Sequence, residues 1–183
     1  SSEEINKVYF EEVEKLGKMM AQRGHGMVFG GGKTGLMGAA IRGLSAAGGT
    51  SIGIAPRFFD QPGVLFEDCT KFIFTDTMRE RKQLMEDNSD AFIIVPGGIG
   101  TFEEFFEILT LKQLGRHNKP IAIFNINNYY DDINKIITKA ADEGFLKKNH
   151  LNIFKISDDA AELLDYIEAT SKAKEIERLS LDR

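Results

Sequence analysis

The nine residues Pro96-Gly97-Gly98-Ile99-Gly100-Thr101-Phe102-Glu103-Glu104 carry the strongest chemical signal in the chain. They follow the apolar run Ala91-Phe92-Ile93-Ile94-Val95 and precede a segment with helical periodicity, so they form the turn between a strand and a helix. Gly97, Gly98 and Gly100 let the backbone approach a ligand closely, and the N–H groups at the helix start can hold an anion. Ile99 and Phe102 fall in the same turn, and two carboxylates, Glu103 and Glu104, lie just beyond it. A phosphate seat with an acid beside it suits chemistry on a nucleotide rather than storage of one.

Thr101 and Glu104 also fit a capping box, Thr-x-x-Glu, which alone would explain both residues. Thr77-Met78-Arg79-Glu80 repeats the pattern at another helix start. Three glycines upstream of Thr101 are more than a cap requires, however, and Glu103 leaves one carboxylate free if Glu104 caps. Arg79, Arg81 and Lys82 crowd the first turns of the Thr77 helix, where cations oppose the macrodipole unless an anion offsets them. Arg81 is the preferred anion ligand, because its planar fork can grip a phosphate or carboxylate in fixed geometry.

Gly30-Gly31-Gly32-Lys33-Thr34 looks like the end of a P-loop, but Met27 stands where that pattern needs its first glycine. A second loop touching phosphate or sugar is the preferred reading, with Gly31 and Gly32 as its contacts. His25, His117 and His150 are scattered, which argues against a metal site. No Gly-x-Ser-x-Gly elbow is present and Cys69, the single cysteine, has no local partner, so nucleophilic hydrolase templates fail. Tyr129-Tyr130 is expected to open a helix and pack there.

The elements that must position these residues alternate with little interruption. Helical spacing from Val8 to Met20 ends at Gly24–Gly26; strands are expected at Met27–Phe29, Thr50–Ile54, Lys71–Thr75, Asp90–Val95, Ile121–Phe124 and Ile153–Ile156. Helices are expected at 35–47, 77–88, 101–114, 129–141 and 158–169, and a loop over 56–68. Apolar strands between amphipathic helices predict an α/β fold: a doubly wound parallel sheet with helices on both faces and a ligand at the carboxyl ends of the strands. The chain opens on a helix, so either a first strand lies outside it or the sheet starts at Met27. Residues 1–170 are expected to form a single nucleotide-binding domain, followed by a charged tail over 171–183.

The composition is that of a globular protein, with 42% hydrophobic and 28% charged residues among 183. A net charge of −5 argues against a nucleic-acid partner. The absence of a long apolar stretch and the lone cysteine predict a cytoplasmic protein with no membrane partner.

The sequence resembles the Lonely Guy-type cytokinin riboside 5′-monophosphate phosphoribohydrolases, long labelled "possible lysine decarboxylases". Residues 96–104 match the family's Pro-Gly-Gly-x-Gly-Thr-x-x-Glu motif, and Met78-Arg79-Glu80-Arg81-Lys82 resembles its Met-x-x-Arg-Lys segment. Gly30-Gly31-Gly32 with Gly35-Leu36-Met37-Gly38 resembles its first glycine-rich loop, although Lys33 replaces a small polar residue. The resemblance spans about Val8 to Ile167. It implies a Rossmann-like doubly wound parallel sheet and a homodimer that hydrolyses the N-glycosidic bond of a nucleoside 5′-monophosphate, adenylate or its N6-prenylated form; no cofactor or metal is expected. On matching positions it makes Arg81 and Glu104 the catalytic pair, puts Gly97, Gly98, Gly100 and Thr101 in the phosphate and ribose turn, and adds Lys82, Glu103 and Thr110 as substrate contacts.

The chemistry implied passes through an oxocarbenium-like state, which a carboxylate such as Glu104 stabilises. Arg81 would hold Glu104 and the sugar phosphate in position, and phosphate binding energy would disfavour unphosphorylated ribosides. The competing reading is a carrier of a phosphorylated cofactor such as molybdenum cofactor. It would keep the glycines but would not need both Arg81 and Glu104.

Overall fold

Short runs of β-branched and aromatic residues pair in parallel here, most of them handed to the next through a helix. The computed structural model describes residues 4–181 in backbone and 4–171 in side chain. Its contacts divide the chain into two compact units, Ser1–Ser89 and Asp90–Arg183.

The first unit contains α1 (Lys7–Gln22), β1 (Met27–Phe29), α2 (Gly35–Ala46), β2 (Ser51–Pro56), β3 (Lys71–Thr75) and α3 (Met78–Asp87). Its sheet has the order β1-β2-β3, all parallel, with Met27 opposite Ser51 and Ile52 opposite Lys71. Helix α1 starts where the Asn6 side chain accepts the Val8 N–H at 3.1 Å, satisfying one donor of the first turn. It then packs on α2 at backbone distance. A side chain on Gly43 would collide with the Glu14 carbonyl, and one on Gly17 with the Ala40 carbonyl. Phe29, Ile41 and Leu44 form the core of this unit, with Met20, Met27 and Phe66 packed against them.

Strand β2 outruns its expected end at Ile54 and reaches Pro56, where a single 3-10 turn, Arg57–Phe59, begins the long loop. That loop does more than cover a face. Its far end returns to the first glycine turn as an antiparallel bridge between Gly32 and Leu65. The Phe66 N–H donates to the Gly31 carbonyl at 2.8 Å and the Lys33 N–H to the Val64 carbonyl at 3.1 Å.

The second unit contains β4 (Phe92–Ile94), α4 (Ile99–Gln113), β5 (Ile121–Phe124), α5 (Asp131–Asp142), β6 (Lys155–Ser157) and α6 (Ala160–Leu181). Its sheet runs β4-β5-β6, again parallel. All four residues of β5 are buried, as the central strand of a covered sheet requires. Ile94, Phe105, Ile121, Ile123 and Tyr130 make the core, and Phe102 and Leu109 pack against it. The expected helix at 129–141 instead begins at Asp131, because a 3-10 turn, Ile126–Asn128, precedes it. The charged segment expected as a tail is helical in backbone as far as Leu181; side chains from 172 onward, and residues 182–183, lie outside the described residues. Two parallel sheets with alternating helices give the α/β class expected from the sequence. Among the described residues no helix is long and apolar enough to cross a membrane.

Candidate active site

Helix α4 opens on Gly98, whose extended backbone (φ −97°, ψ −155°) makes it the N-cap without any side-chain capping bond. The first intrahelical bond runs from the Phe102 N–H to the Gly98 carbonyl at 3.1 Å. The N–H groups of the first turn therefore have no partner along the helix and point outward at its positive end. Gly98, Ile99 and Gly100 are all exposed, so this end of the helix is open to a ligand, whereas Pro96 is buried beneath it.

This geometry corrects the expected capping box at Thr101 and Glu104. The helix starts at Ile99, so Thr101 is already inside it and cannot be its N-cap. The Thr101 side chain folds back across Gly97 instead, where any side chain on Gly97 would strike it. The other Thr-x-x-Glu does cap. Thr77 Oγ1 accepts the Glu80 N–H at 3.1 Å, and the Glu80 carboxylate accepts the Asp76 N–H at 2.9 Å. Glu104 is therefore not the closing residue of a capping box at this helix start. Glu104 sits half-buried in the second turn of α4, and helical side chains lean toward the N-terminus, the end where the glycine turn lies. Glu103 and Thr110 are exposed on the same helix.

The glycine turn is held from below by two consecutive tyrosines. Tyr130 Oη donates to the Val95 carbonyl at 2.7 Å, and Tyr129 Oη donates to the Gly97 carbonyl at 2.6 Å. Tyr130 is fully buried, and burial pushes its phenol far above the ordinary tyrosine range, so it stays a hydrogen-bond donor. Asn125 sets both tyrosines in place. Its side-chain oxygen accepts the Tyr130 N–H at 2.7 Å, its amide donates to Asp131 at 2.8 Å, and its backbone N–H donates to the Ser157 carbonyl at 2.8 Å. Asn127 and Asn128 take left-handed backbone (φ 52° and 59°), a region asparagine tolerates better than most residues. Tyr129 and Tyr130 do not open the helix expected from residue 129: α5 begins at Asp131 with Tyr130 as its N-cap. A signal was present, in an Asn-Asn-Tyr-Tyr run directly after a buried strand, but its targets lie more than thirty residues away.

In the first unit the basic cluster of α3 separates into different environments. Arg79 is exposed, Lys82 is half-buried, and Arg81 is buried at 7% exposure. Arg81 Nε donates to the Ile54 carbonyl at 3.3 Å, and a side chain on Gly30 would run into its guanidinium. The first glycine loop is therefore bare at Gly30 to admit Arg81, which is a second reason for glycine there beside loop geometry. Gly31 is buried and Gly32 half-buried, and the Lys33 N–H is already taken by Val64. A P-loop would need such N–H groups for phosphate, so this arrangement counts against that reading. Cys69 is no nucleophile either. Burial raises its thiol above the usual range, and the thiol donates to the Phe66 carbonyl at 3.1 Å.

Comparison with known proteins finds relatives over most of the chain. Residues 37–167 match the family described as "Possible lysine decarboxylase". A cytokinin riboside 5′-monophosphate phosphoribohydrolase of Arabidopsis thaliana is 37% identical over 169 residues, covering 92% of this chain and 74% of the relative. The chain belongs to the Lonely Guy family. A Lonely Guy relative of the same name from Rhodococcoides fascians is 40% identical over 139 residues, 75% of this chain and 70% of the relative. Among solved structures, the molybdenum cofactor carrier protein of Chlamydomonas reinhardtii superposes with a TM-score of 0.68 at 23% identity, covering 90% of this chain and 89% of that one. The molybdenum cofactor binding protein of Rippkaea orientalis gives 0.69 at 21% identity, over 92% and 91%. At that identity the likeness is one of fold, and it marks the Lonely Guy chain as Rossmann-like.

Proposed function

We propose that this protein hydrolyses the N-glycosidic bond of a nucleoside 5′-monophosphate, adenylate or its N6-prenylated form. Water adds its oxygen to C1′, the C1′–N bond breaks with its electron pair passing to the base, and a proton goes to the departing nitrogen. The products are free base and ribose 5-phosphate. Membership of the Lonely Guy family carries the reading, since relatives at 37% and 40% identity bear the name of this activity. The open N-terminus of α4 supports it further. Gly97, Gly98, Ile99, Gly100, Thr101 and Phe102 seat the sugar phosphate, and Glu104 meets the positive charge that develops at C1′. Arg81 and Lys82 supply cations to the phosphorylated substrate, with Gly31 and Gly32 as the second loop, and Glu103 and Thr110 contact it from α4.

The deciding assay measures free base released from AMP and isopentenyladenosine monophosphate, each beside its unphosphorylated riboside. Release from the monophosphates alone is expected, because the phosphate supplies binding energy remote from the bond broken. Equal release from the ribosides would remove the phosphate seat from the mechanism. Tight binding of AMP without release would leave a carrier.

The same reading makes the protein a cytoplasmic homodimer. Phe106 on α4 and Leu114 just past its end are exposed, at 39% and 66%, apolar positions that a second copy would cover. Phe106→Glu is expected to shift the sedimenting species from dimer to monomer. An unchanged dimer would move the interface off this helix.

A further inference from the structure

A peptide group is planar and trans, so its C=O and N–H point in opposite directions. Whatever grips a carbonyl also aims the N–H of the next residue. The two tyrosines beneath the glycine turn differ in this respect. Tyr130 grips the Val95 carbonyl, and the next residue is Pro96, which has no N–H to aim. That bond can only anchor the chain. Tyr129 grips the Gly97 carbonyl at 2.6 Å, and the next N–H belongs to Gly98, the exposed N-cap of α4. Gly98 carries no side chain to set its peptide, and a Cβ on it would meet nothing within 4 Å. With no side chain on Gly98 to restrain it, that peptide is oriented in part by the bond from Tyr129.

We infer that Tyr129 is a positioning residue that aims the Gly98 N–H at the phosphate-bearing end of the substrate, through its hydrogen bond to the Gly97 carbonyl. The inference rests on residues 96–101 being the seat of the sugar phosphate. Tyr129 is suited to the task. Its ring stands edge-on against Tyr130, centroids 5.0 Å apart at 87°, so the hydroxyl is carried by a rigid, anchored pair. Asn125 fixes the backbone of that pair from the ends of β5 and β6. At 40% exposure, Tyr129 makes a small part of the core, so its hydroxyl can be removed without collapse of the unit. The substrate group recognised is an anion, and Tyr129 itself donates to protein rather than to that anion.

Tyr129→Phe tests this, with AMP and adenine titrated separately into wild type and variant by calorimetry. The dissociation constant for AMP is expected to rise about tenfold, the loss of one hydrogen bond to a charged group, while that for adenine holds. In turnover the loss should fall on KM, with kcat nearly unchanged, since the bond serves ground state and transition state alike. The thermal midpoint should stay close to wild type. Equal affinity for AMP in the two proteins overturns the inference, as does a matching loss for adenine, which would mean general loosening. A wild-type protein that binds AMP and releases no base overturns the hydrolase reading alone, because the comparison of affinities is still made. Failure of wild type to bind AMP overturns both.

Discussion

Glu104→Gln is expected to lower kcat for base release from AMP by about a thousandfold, the scale on which removal of one transition-state charge partner is felt. The amide has the same size and keeps an oxygen, but it cannot answer positive charge at C1′. Such a loss is often ambiguous, because a glutamate at a helix start is also a cap. Here the ambiguity is resolved by the structure. Gly98 is the N-cap of α4, Thr101 lies inside the helix, and Glu104 is a residue of the second turn. The charge is therefore not needed to cap α4, and the unfolding midpoint of the variant is expected to match wild type. The dissociation constant for AMP should change little. Glu107→Gln, an exposed glutamate on the same helix, is the control for general loss of negative charge and should keep full activity. A Glu104→Gln rate within tenfold of wild type would reassign the charge-stabilising role.

Arg81→Ala is expected to lower kcat/KM for AMP by about a hundredfold, and unlike the glutamate change it should also cost stability. The guanidinium is buried between the Gly30 backbone and the Ile54 carbonyl, to which Nε donates at 3.3 Å. Removing it strands that carbonyl acceptor and opens a gap beside the first glycine loop, for a loss of about 1–3 kcal/mol in urea unfolding. Arg81→Lys separates the two effects. It keeps the positive charge but not the fork, so it should recover part of the stability and little of the activity. Activity restored in full by lysine would mean that charge alone matters at this position. Arg79→Ala, at an exposed site, should show neither effect.

How far the site could be read beforehand depended on the reach of each interaction. The Pro96–Thr101 turn was legible because glycine spacing, an upstream apolar run and a following helix are all local. The cap at Thr77 was legible for the same reason. The identical pattern at Thr101 misled, since Gly98 in extended backbone caps a helix that starts two residues earlier and leaves the threonine inside it. Nothing in a Thr-x-x-Glu string distinguishes the two cases. Arg81 stood out from Arg79 only on grounds of chemistry. Its burial comes from a strand twenty-seven residues upstream, which no local pattern encodes. Tyr129 and Tyr130 act across thirty-two and thirty-five residues, and their meaning appears only once β4 and β5 lie side by side. The fold class survived these misses because hydrophobic periodicity is repeated over a dozen elements, and a slip of two residues at an end alters none of the parallel pairing.

The bridge between Gly32 and Leu65 divides the labour of the long loop after β2. Residues 64–66 hold the first glycine turn through main-chain bonds, which any side chain could make. Residues 57–63 protrude beyond that staple, with Phe58 and Phe59 exposed at 56% and 41%. Selection can thus vary the type and number of residues in the outer stretch while the backbone it springs from stays where it is.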